Sequence, residues 1–238
     1  LDAALAADIA VIAVPNVAAA AVLEELLART DHGRSGPVLT DVASVKGNLA
    51  AAAARGGPAP RFVPGHPIAG SERSGVAAAN GDLFRRHRVI LTPLPAQEQG
   101  ALALVRRLWE SAGAEVVCME VAEHDAVLAA TSHLPHVLAY CLVDHLAASP
   151  RREELFRFAA GGFRDFTRIA SSDPVMWRDV ALANRDALLE AVDEFSARLA
   201  VLREAIASGD GARLEATFTA AKAARDAFAE RESRRQQN

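Results

Sequence analysis

Six consecutive apolar residues, Ile9-Ala-Val-Ile-Ala-Val14, run without polar alternation until Pro15 stops them. A run of that length predicts a strand covered on both faces, as in a parallel sheet with helices on either side. The pattern then repeats. A breaker-free helical stretch, Ala18 to Arg29, leads to a second short strand, Val38 to Asp41, and a second helix, Val45 to Arg55. Arg61 to Pro64 and Arg88 to Thr92 read as further strands, Glu98 to Ala112 as a helix and Ala114 to Cys118 as a closing strand. Such alternation implies a doubly wound, mostly parallel α/β sheet. From about Val121 the strand signal stops, and three long helical segments follow: Ala122 to Ala147, Pro174 to Ser208 and Ala212 to Glu232. Gly209-Asp210-Gly211 is a helix stop between the last two. Leu188, Val192, Phe195, Leu199, Leu202 and Ile206 recur at spacings of three and four, a stripe that a second subunit would cover. The expected organisation is an α/β domain over residues 1–120 and an all-α dimerisation domain over 121–238.

Composition excludes several function classes. A formal charge of −4 gives no case for a nucleic-acid or anionic-membrane partner, both of which want a basic surface. Cys118 and Cys141 are too few for a disulfide framework or a Cys-based zinc site, which fits a reducing compartment, by default the cytoplasm. No uninterrupted apolar run reaches membrane-spanning length, Ile9–Val14 and Val17–Leu23 being separated by Pro15-Asn16, so no transmembrane helix is expected. The start, Leu1-Asp2-Ala3, has neither an initiator Met nor a signal peptide, and an upstream portion is expected to be missing.

In an α/β sheet, ligands bind beyond the strand C-termini. Three polar segments stand there: Pro15-Asn16, Asp41 to Gly47, and Gly65-His-Pro-Ile-Ala-Gly-Ser-Glu72. The last has P-loop glycine spacing, but Ser71-Glu72 replaces the Lys and Ser/Thr that such a loop requires. His66, between Gly65 and Pro67, reads either as a general base or as a loop-stabilising side chain. Ser44 reads as a helix N-cap or as a partner of His66, and Asp41 as a turn former. In Ser132-His-Leu-Pro-His136, His133 and His136 share a helix face beside Pro135; pocket lining, surface exposure and, with no H-E-x-x-H pattern, a weak metal site are the alternatives. Gly161 to Arg168 holds two Arg able to clamp a carboxylate bidentately, or to stand as solvated charge in a chain with 24 Arg and two Lys. Trp177 suits a pocket wall or a core.

In identity and order, Asp41-Val-Ala-Ser-Val-Lys-Gly47, Gly65 to Glu72, Ser132 to His136 and Gly161 through Trp177 resemble the motifs of the prephenate dehydrogenase family, which includes arogenate and cyclohexadienyl dehydrogenases. The resemblance covers most of the chain. It implies a Rossmann domain binding NAD, or NADP, followed by a helical domain that forms a homodimer. It also implies a reaction in tyrosine biosynthesis: oxidation of the C4 hydroxyl of prephenate with loss of CO2, giving 4-hydroxyphenylpyruvate, or of arogenate, giving tyrosine. By resemblance His66 takes the hydroxyl proton, and Ser44 orients His66 and the nicotinamide. Arg168 and His136 bind the substrate carboxylates, His133 joins the substrate pocket, Glu72 is an acidic gate, and Gly161 and Trp177 line the side-chain end. Val14, Pro15, Asp41 and Ser44 are left to touch the cofactor; no metal is implied. Tyrosine inhibition is a further expectation.

The front of the chain departs from the family pattern. No Gly-rich turn holds the pyrophosphate on a helix N-terminus, so the chain reads as entering its Rossmann domain midway, and as written it is expected to bind dinucleotide poorly. Two competing readings remain. Related two-domain dehydrogenases use a catalytic Lys or Asp on the interdomain helix, where this chain offers His. A non-catalytic ligand-sensing or dimerisation module would explain the absent Gly-rich loop but not His66, Ser44 and Arg168 together.

Overall fold

The computed structural model describes residues 1–70 and 75–237. A short helix, α1 (Asp2–Leu5), precedes β1 (Ile9–Ile12), α2 (Asn16–Arg29), β2 (Val38–Asp41), α3 (Gly47–Ala54), β3 (Phe62–Val63), β4 (Gly65–Pro67), β5 (Arg88–Leu91), α4 (Gln99–Ser111) and β6 (Glu115–Cys118). Strands β1, β2 and β3 form a parallel ladder in that order, with Ile9 opposite Val38 and Leu39 opposite Phe62. Strands β4, β5 and β6 form a second ladder, in which β5 and β6 are parallel and β4 runs antiparallel to β5.

Strand β4 corrects the sequence reading. Gly-His-Pro was expected to be a loop, yet Gly65, His66 and Pro67 pair with Leu91, Ile90 and Val89. Pro64 breaks the strand begun by Phe62, and its carbonyl accepts from Thr92 N at 3.0 Å, handing the chain from one ladder to the other. Gly65 suits the tight crossing, because a Cβ there would stand 3.0 Å from the Asp41 carbonyl oxygen and 3.3 Å from Leu91. One apolar core joins Leu23, Leu26, Leu39, Leu49 and Phe62; a second joins Val63, Val89, Leu91, Val105 and Trp109. Each such fully buried side chain contributes ~1.5–3 kcal/mol.

The helical part begins with α5 (Val121–Leu128), continues through a π turn over Ala129–His133, and runs into α6 (Leu134–Ala147). The π turn lies just ahead of Pro135, whose ring cannot donate into a regular i→i−4 ladder; such turns recur at functional sites. After α7 (Arg152–Arg157), α8 (Gly161–Thr167) and a 3₁₀ turn (Arg168–Ser171) comes α9 (Pro174–Ala183), capped by Asp173 Oδ1 accepting from Val175 N and Met176 N, both at 2.8 Å. Then come α10 (Arg185–Ser208) and α11 (Gly211–Gln237), divided where Gly209 takes a φ of +69°.

By packing, the chain forms two compact units, residues 1–188 and 189–238. Residues 1–188 hold both ladders and α1 to α9, because α5 is tied to α3 and α9 lies beside α2. Residues 189–238 hold the rest of α10 and α11; within them the expected stripe is open to solvent in the single chain, at 55% for Leu199 and 66% for Ile206.

One helix, the continuous Val121–Ala147, is an exception to the expectation that no stretch reaches membrane-spanning length. At 27 residues and a mean hydropathy of 1.5 in its most apolar stretch, it is long and apolar enough, by length and composition, to cross a membrane. Its polar residues bind it to the first unit instead: His124, Asp125 and His133 are all buried there, and each is hydrogen-bonded to a residue outside the helix.

Candidate active site

The three polar segments beyond β1, β2 and β3 do converge. Asn16 Oδ1 accepts from Val45 N at 3.3 Å, and Asp41 Oδ2 accepts from Gly65 N at 3.2 Å. At their junction Lys46 and Asp41 form an ion pair with both side chains at 0% exposure. The Lys46 ammonium also donates to the Gly65 carbonyl at 2.6 Å, one residue before His66. Asp41 further accepts from Ala43 N at 2.9 Å, which bears out the turn-forming role. Its carboxylate is buried and committed to Lys46, Ala43 and Gly65.

Ser44 does not cap α3. That helix starts at Gly47 without a capping side chain of its own. Asp125, reaching over from α5, takes the role: Oδ1 accepts from Lys46 N at 2.9 Å and Oδ2 from Gly47 N at 2.7 Å. A carboxylate there also favours the positive end of the helix dipole. Ser44 is left half-buried, with no hydrogen bond to its hydroxyl among the described residues.

His66 is held from β4 by the sheet and from its ring by His124, whose Nε2 lies 2.9 Å from His66 Nδ1. The two rings meet edge to face with centroids 5.1 Å apart. His124 Nδ1 in turn lies 2.8 Å from Asp125 Oδ1. Burial, then the Lys46 ammonium and the neighbouring His124 and His133, hold His66 well below the usual imidazole value, so its neutral, basic form persists.

Nine residues after His124, His133 is 1% exposed; its Nδ1 faces Asn184 Nδ2 at 3.1 Å, and its Nε2 has no partner among the described residues. Burial is the main reason its pKa falls to about 4. His136 stacks on Trp177 with centroids 3.5 Å apart and planes inclined by 19°, while His133 meets the same indole edge on at 6.1 Å. His136, Val137, Tyr140, Pro174, Trp177 and Arg178 line a cavity of about 250 Å³. Arg168 is close enough to His136 to disfavour its proton, after burial, the larger cause.

The Ser132 carbonyl lies 2.9 Å from His136 Nδ1 and can only accept, so Nδ1 carries the proton and Nε2 presents a lone pair. Gly161 starts α8 on the exposed surface, where an added Cβ would meet nothing within 4 Å. Glu72 lies outside the described residues. Sequence reasoning missed His124, Asp125, Asn184 and the structural use of Lys46. The available signal was a His-Asp pair in the first turn of an otherwise apolar helix.

The residues past β1 and β2 have the donor chemistry that the nicotinamide end of a dinucleotide needs. Val14 is 39% exposed past β1, and Asn16 Nδ2 is buried without a partner among the described residues. The first turn of α2 has no side-chain cap, and the Ser44 hydroxyl is unengaged. These are donors and apolar surface awaiting a ligand.

A family profile described as prephenate dehydrogenase, nucleotide-binding domain, matches residues 1–118, and one described as prephenate dehydrogenase, dimerization domain, matches residues 120–220. The chain belongs to the prephenate dehydrogenase family. It is 38% identical over 230 residues to a cyclohexadienyl dehydrogenase of Zymomonas mobilis, covering 94% of this chain and 76% of that one. It is 41% identical over 191 residues to a prephenate dehydrogenase of Bacillus subtilis; that match spans 79% of this chain and 52% of the Bacillus enzyme. Among solved structures it resembles prephenate dehydrogenase from Aquifex aeolicus in complex with hydroxyphenyl propionate and NAD+, with a TM-score of 0.84 and 36% identity over 92% of this chain and 76% of that one. The α/β part is thus the family's nucleotide-binding domain and the helical part its dimerization domain.

Proposed function

We propose that this chain is an NAD-dependent prephenate dehydrogenase whose general base is His66. The observation that carries the reading is a largely buried imidazole at a strand end, kept neutral by its surroundings and bonded through Nδ1, which leaves Nε2 for a substrate proton. Val14, Pro15, Ser44 and the buried Asn16 amide would hold the nicotinamide end of the cofactor. Bound there, NAD supplies the hydride acceptor. His66 Nε2 takes the C4 hydroxyl proton as hydride departs, and the free Ser44 hydroxyl orients the reacting oxygen. Loss of CO2 needs little help from the protein, because it yields an aromatic ring.

The two substrate carboxylates meet Arg168 and the unpartnered His133 N–H. His136 holds a carboxylate once it gains a second proton, which a bound anion favours. Trp177 and Gly161 bound the side-chain end, and Glu72 serves as the gate. The exposed stripe of α10 and the largely uncovered Val121–Ala147 helix are surfaces for a second copy in a homodimer. The domain boundary falls near residue 120, between the two family matches. Free Cys118 and Cys141 suit the cytoplasm. Because one relative is a cyclohexadienyl dehydrogenase, arogenate is a second substrate to test.

The test follows nicotinamide reduction by the full-length protein with prephenate or arogenate, each paired with NAD and NADP, with and without tyrosine. Prephenate with NAD should reduce. His66→Asn should lower kcat by about 10²–10⁴-fold with KM near wild type. Wild-type turnover in that variant would refute the assignment of the base.

A further inference from the structure

Asp125 stands at the meeting point of two chains of hydrogen bonds, each ending on an active-site histidine. Its carboxylate Oδ1 faces His124 Nδ1 at 2.8 Å, and His124 Nε2 faces His66 Nδ1 at 2.9 Å. Its backbone carbonyl accepts from Asn184 Nδ2 at 2.8 Å, and the same Nδ2 faces His133 Nδ1 at 3.1 Å. We propose that Asp125 is the positioning residue that sets the protons of both histidines, holding His66 as the Nδ1–H tautomer through His124 and His133 as the Nε2–H tautomer through Asn184.

The argument is one of donors and acceptors. An ionised carboxylate only accepts, so His124 Nδ1 must carry a hydrogen. Burial alone would raise the Asp125 pKa, but hydrogen bonds from His124 and from the Lys46 and Gly47 amides outweigh it and hold the carboxyl below its ordinary value. In a neutral His124, Nε2 is then the acceptor, and the facing His66 Nδ1 must be the donor. That leaves the His66 Nε2 lone pair as the ring's basic site. Nothing in the relay has to move when Nε2 is protonated, because Nδ1–H goes on donating to His124.

On the other branch, the Asp125 carbonyl can only accept, which fixes Nδ2 as the Asn184 atom facing it. The second Nδ2 hydrogen points at His133 Nδ1, which must accept, so the hydrogen of His133 sits on Nε2. That nitrogen is buried and, among the described residues, unpartnered, the state of a donor waiting for a ligand oxygen. One residue thus prepares an acceptor on His66 and a donor on His133. The inference deepens the general-base reading of His66 and rests on it.

Histidine-selective ¹⁵N labelling of the full chain, with long-range ¹H–¹⁵N ring correlations near pH 7.5, reads the tautomers directly; His66→Asn, His124→Asn and His133→Asn spectra assign the signals. Expected are Nδ1–H rings for His66 and His124 and an Nε2–H ring for His133. Free neutral histidine favours Nε2–H, so an unconstrained His66 would show the opposite pattern and overturn the proposal. Asn184→Leu should release His133 alone, leaving the His66 ring signals in place; a matching change at His66 would count against two separate branches. Asp125→Asn should mix the His66 tautomers and lower kcat by about 10²–10⁴-fold; a folded variant within threefold of wild type would overturn the role of Asp125. If that variant does not fold, the wild-type spectrum still decides. A wrong tautomer pattern beside an inactive His66→Asn sinks this inference alone, whereas an active His66→Asn sinks the general-base reading whatever the spectrum.

Discussion

Replacing Lys46 by methionine keeps most of the side-chain volume and deletes the charge that the buried cluster is built around. In the wild type the ammonium bonds to Asp41 and, at 2.6 Å, to the Gly65 carbonyl, with neither side chain of the ion pair exposed. The variant strands a carboxylate in a fully buried site. Removing one partner of such a pair costs about 3–5 kcal/mol, or about 6–20 °C in Tm for a unit of this size. The cost should depend on pH. Burial pushes the Asp41 carboxyl up from its ordinary value, and Lys46 is the first influence pulling it back. Without Lys46 the folded-state pKa rises further. Between the unfolded value and that raised value the native state then binds more protons than the unfolded chain, so the variant loses stability as pH rises through the window and regains it on acidification. Urea denaturation from pH 5 to 8 should show the gap to wild type narrowing toward pH 5. Asp41→Asn combined with Lys46→Met should recover much of the loss, because no uncompensated charge remains. A Lys46→Met protein within 1 kcal/mol of wild type, a gap that widens on acidification, or a double variant no better than the single would refute the reasoning.

If Arg168 is the proposed carboxylate clamp, Arg168→Gln should raise KM for prephenate at least tenfold with a smaller change in kcat; an unchanged KM in steady-state assays would count against the clamp. The acid limb of kcat/KM should lie below pH 6.5, because burial, Lys46, His124 and His133 all lower the His66 pKa, and a limb above 6.5 would contradict that environment. Stability should fall in the same direction: His133, at about 4 when folded, binds fewer protons than the unfolded chain between pH 6.5 and 4, so ~3 kcal/mol should be lost as pH drops through that range, measurable by urea denaturation. Gly47→Ala places a Cβ 2.7 Å from Asp125 Oδ2. It should lower kcat more than it lowers Tm-derived stability would suggest, and normal turnover would argue that the Asp125 carboxylate tolerates displacement.

The α/β half was largely legible because its signals are local. Ile9–Ile12, Val38–Asp41 and Arg88–Leu91 are strands where apolar runs predict them, and α2, α3 and α4 fall between the expected breakers. Strand β4 was not legible: Gly and Pro flanking His66 read as a turn, and only pairing with Val89 to Leu91 makes the segment extended. The membrane-like length of Val121–Ala147 was hidden because charged and histidine residues interrupt the apolar letters without interrupting the helix. His66 stood out through its motif, but its support did not. His124 lies 58 residues from His66, Asp125 lies 79 from Lys46, and Asn184 lies 59 from Asp125. No periodicity or spacing rule reaches across such distances; the cost of burying polar groups does, once the fold is known.

That cost explains how the cluster is arranged. Lys46, Asp41, His124, Asp125, His133 and Asn184 are all buried, and each unpaired polar group in such a place costs ~1–3 kcal/mol. Toward the protein the network is closed: Asp41 and Asp125 each take several donors, and Lys46 has two acceptors. At its margins it is open: among the described residues, His133 Nε2, Asn16 Nδ2, Trp177 Nε1 and the Ser44 hydroxyl have no partner. Groups already stripped of water and fixed in direction gain more from a ligand oxygen than solvated ones would, because no hydration shell has to be displaced and no dipole reoriented. The closed side of the network therefore holds rigid the geometry that the open side presents, and a substitution on the closed side is expected to act on turnover through orientation even where it never touches substrate.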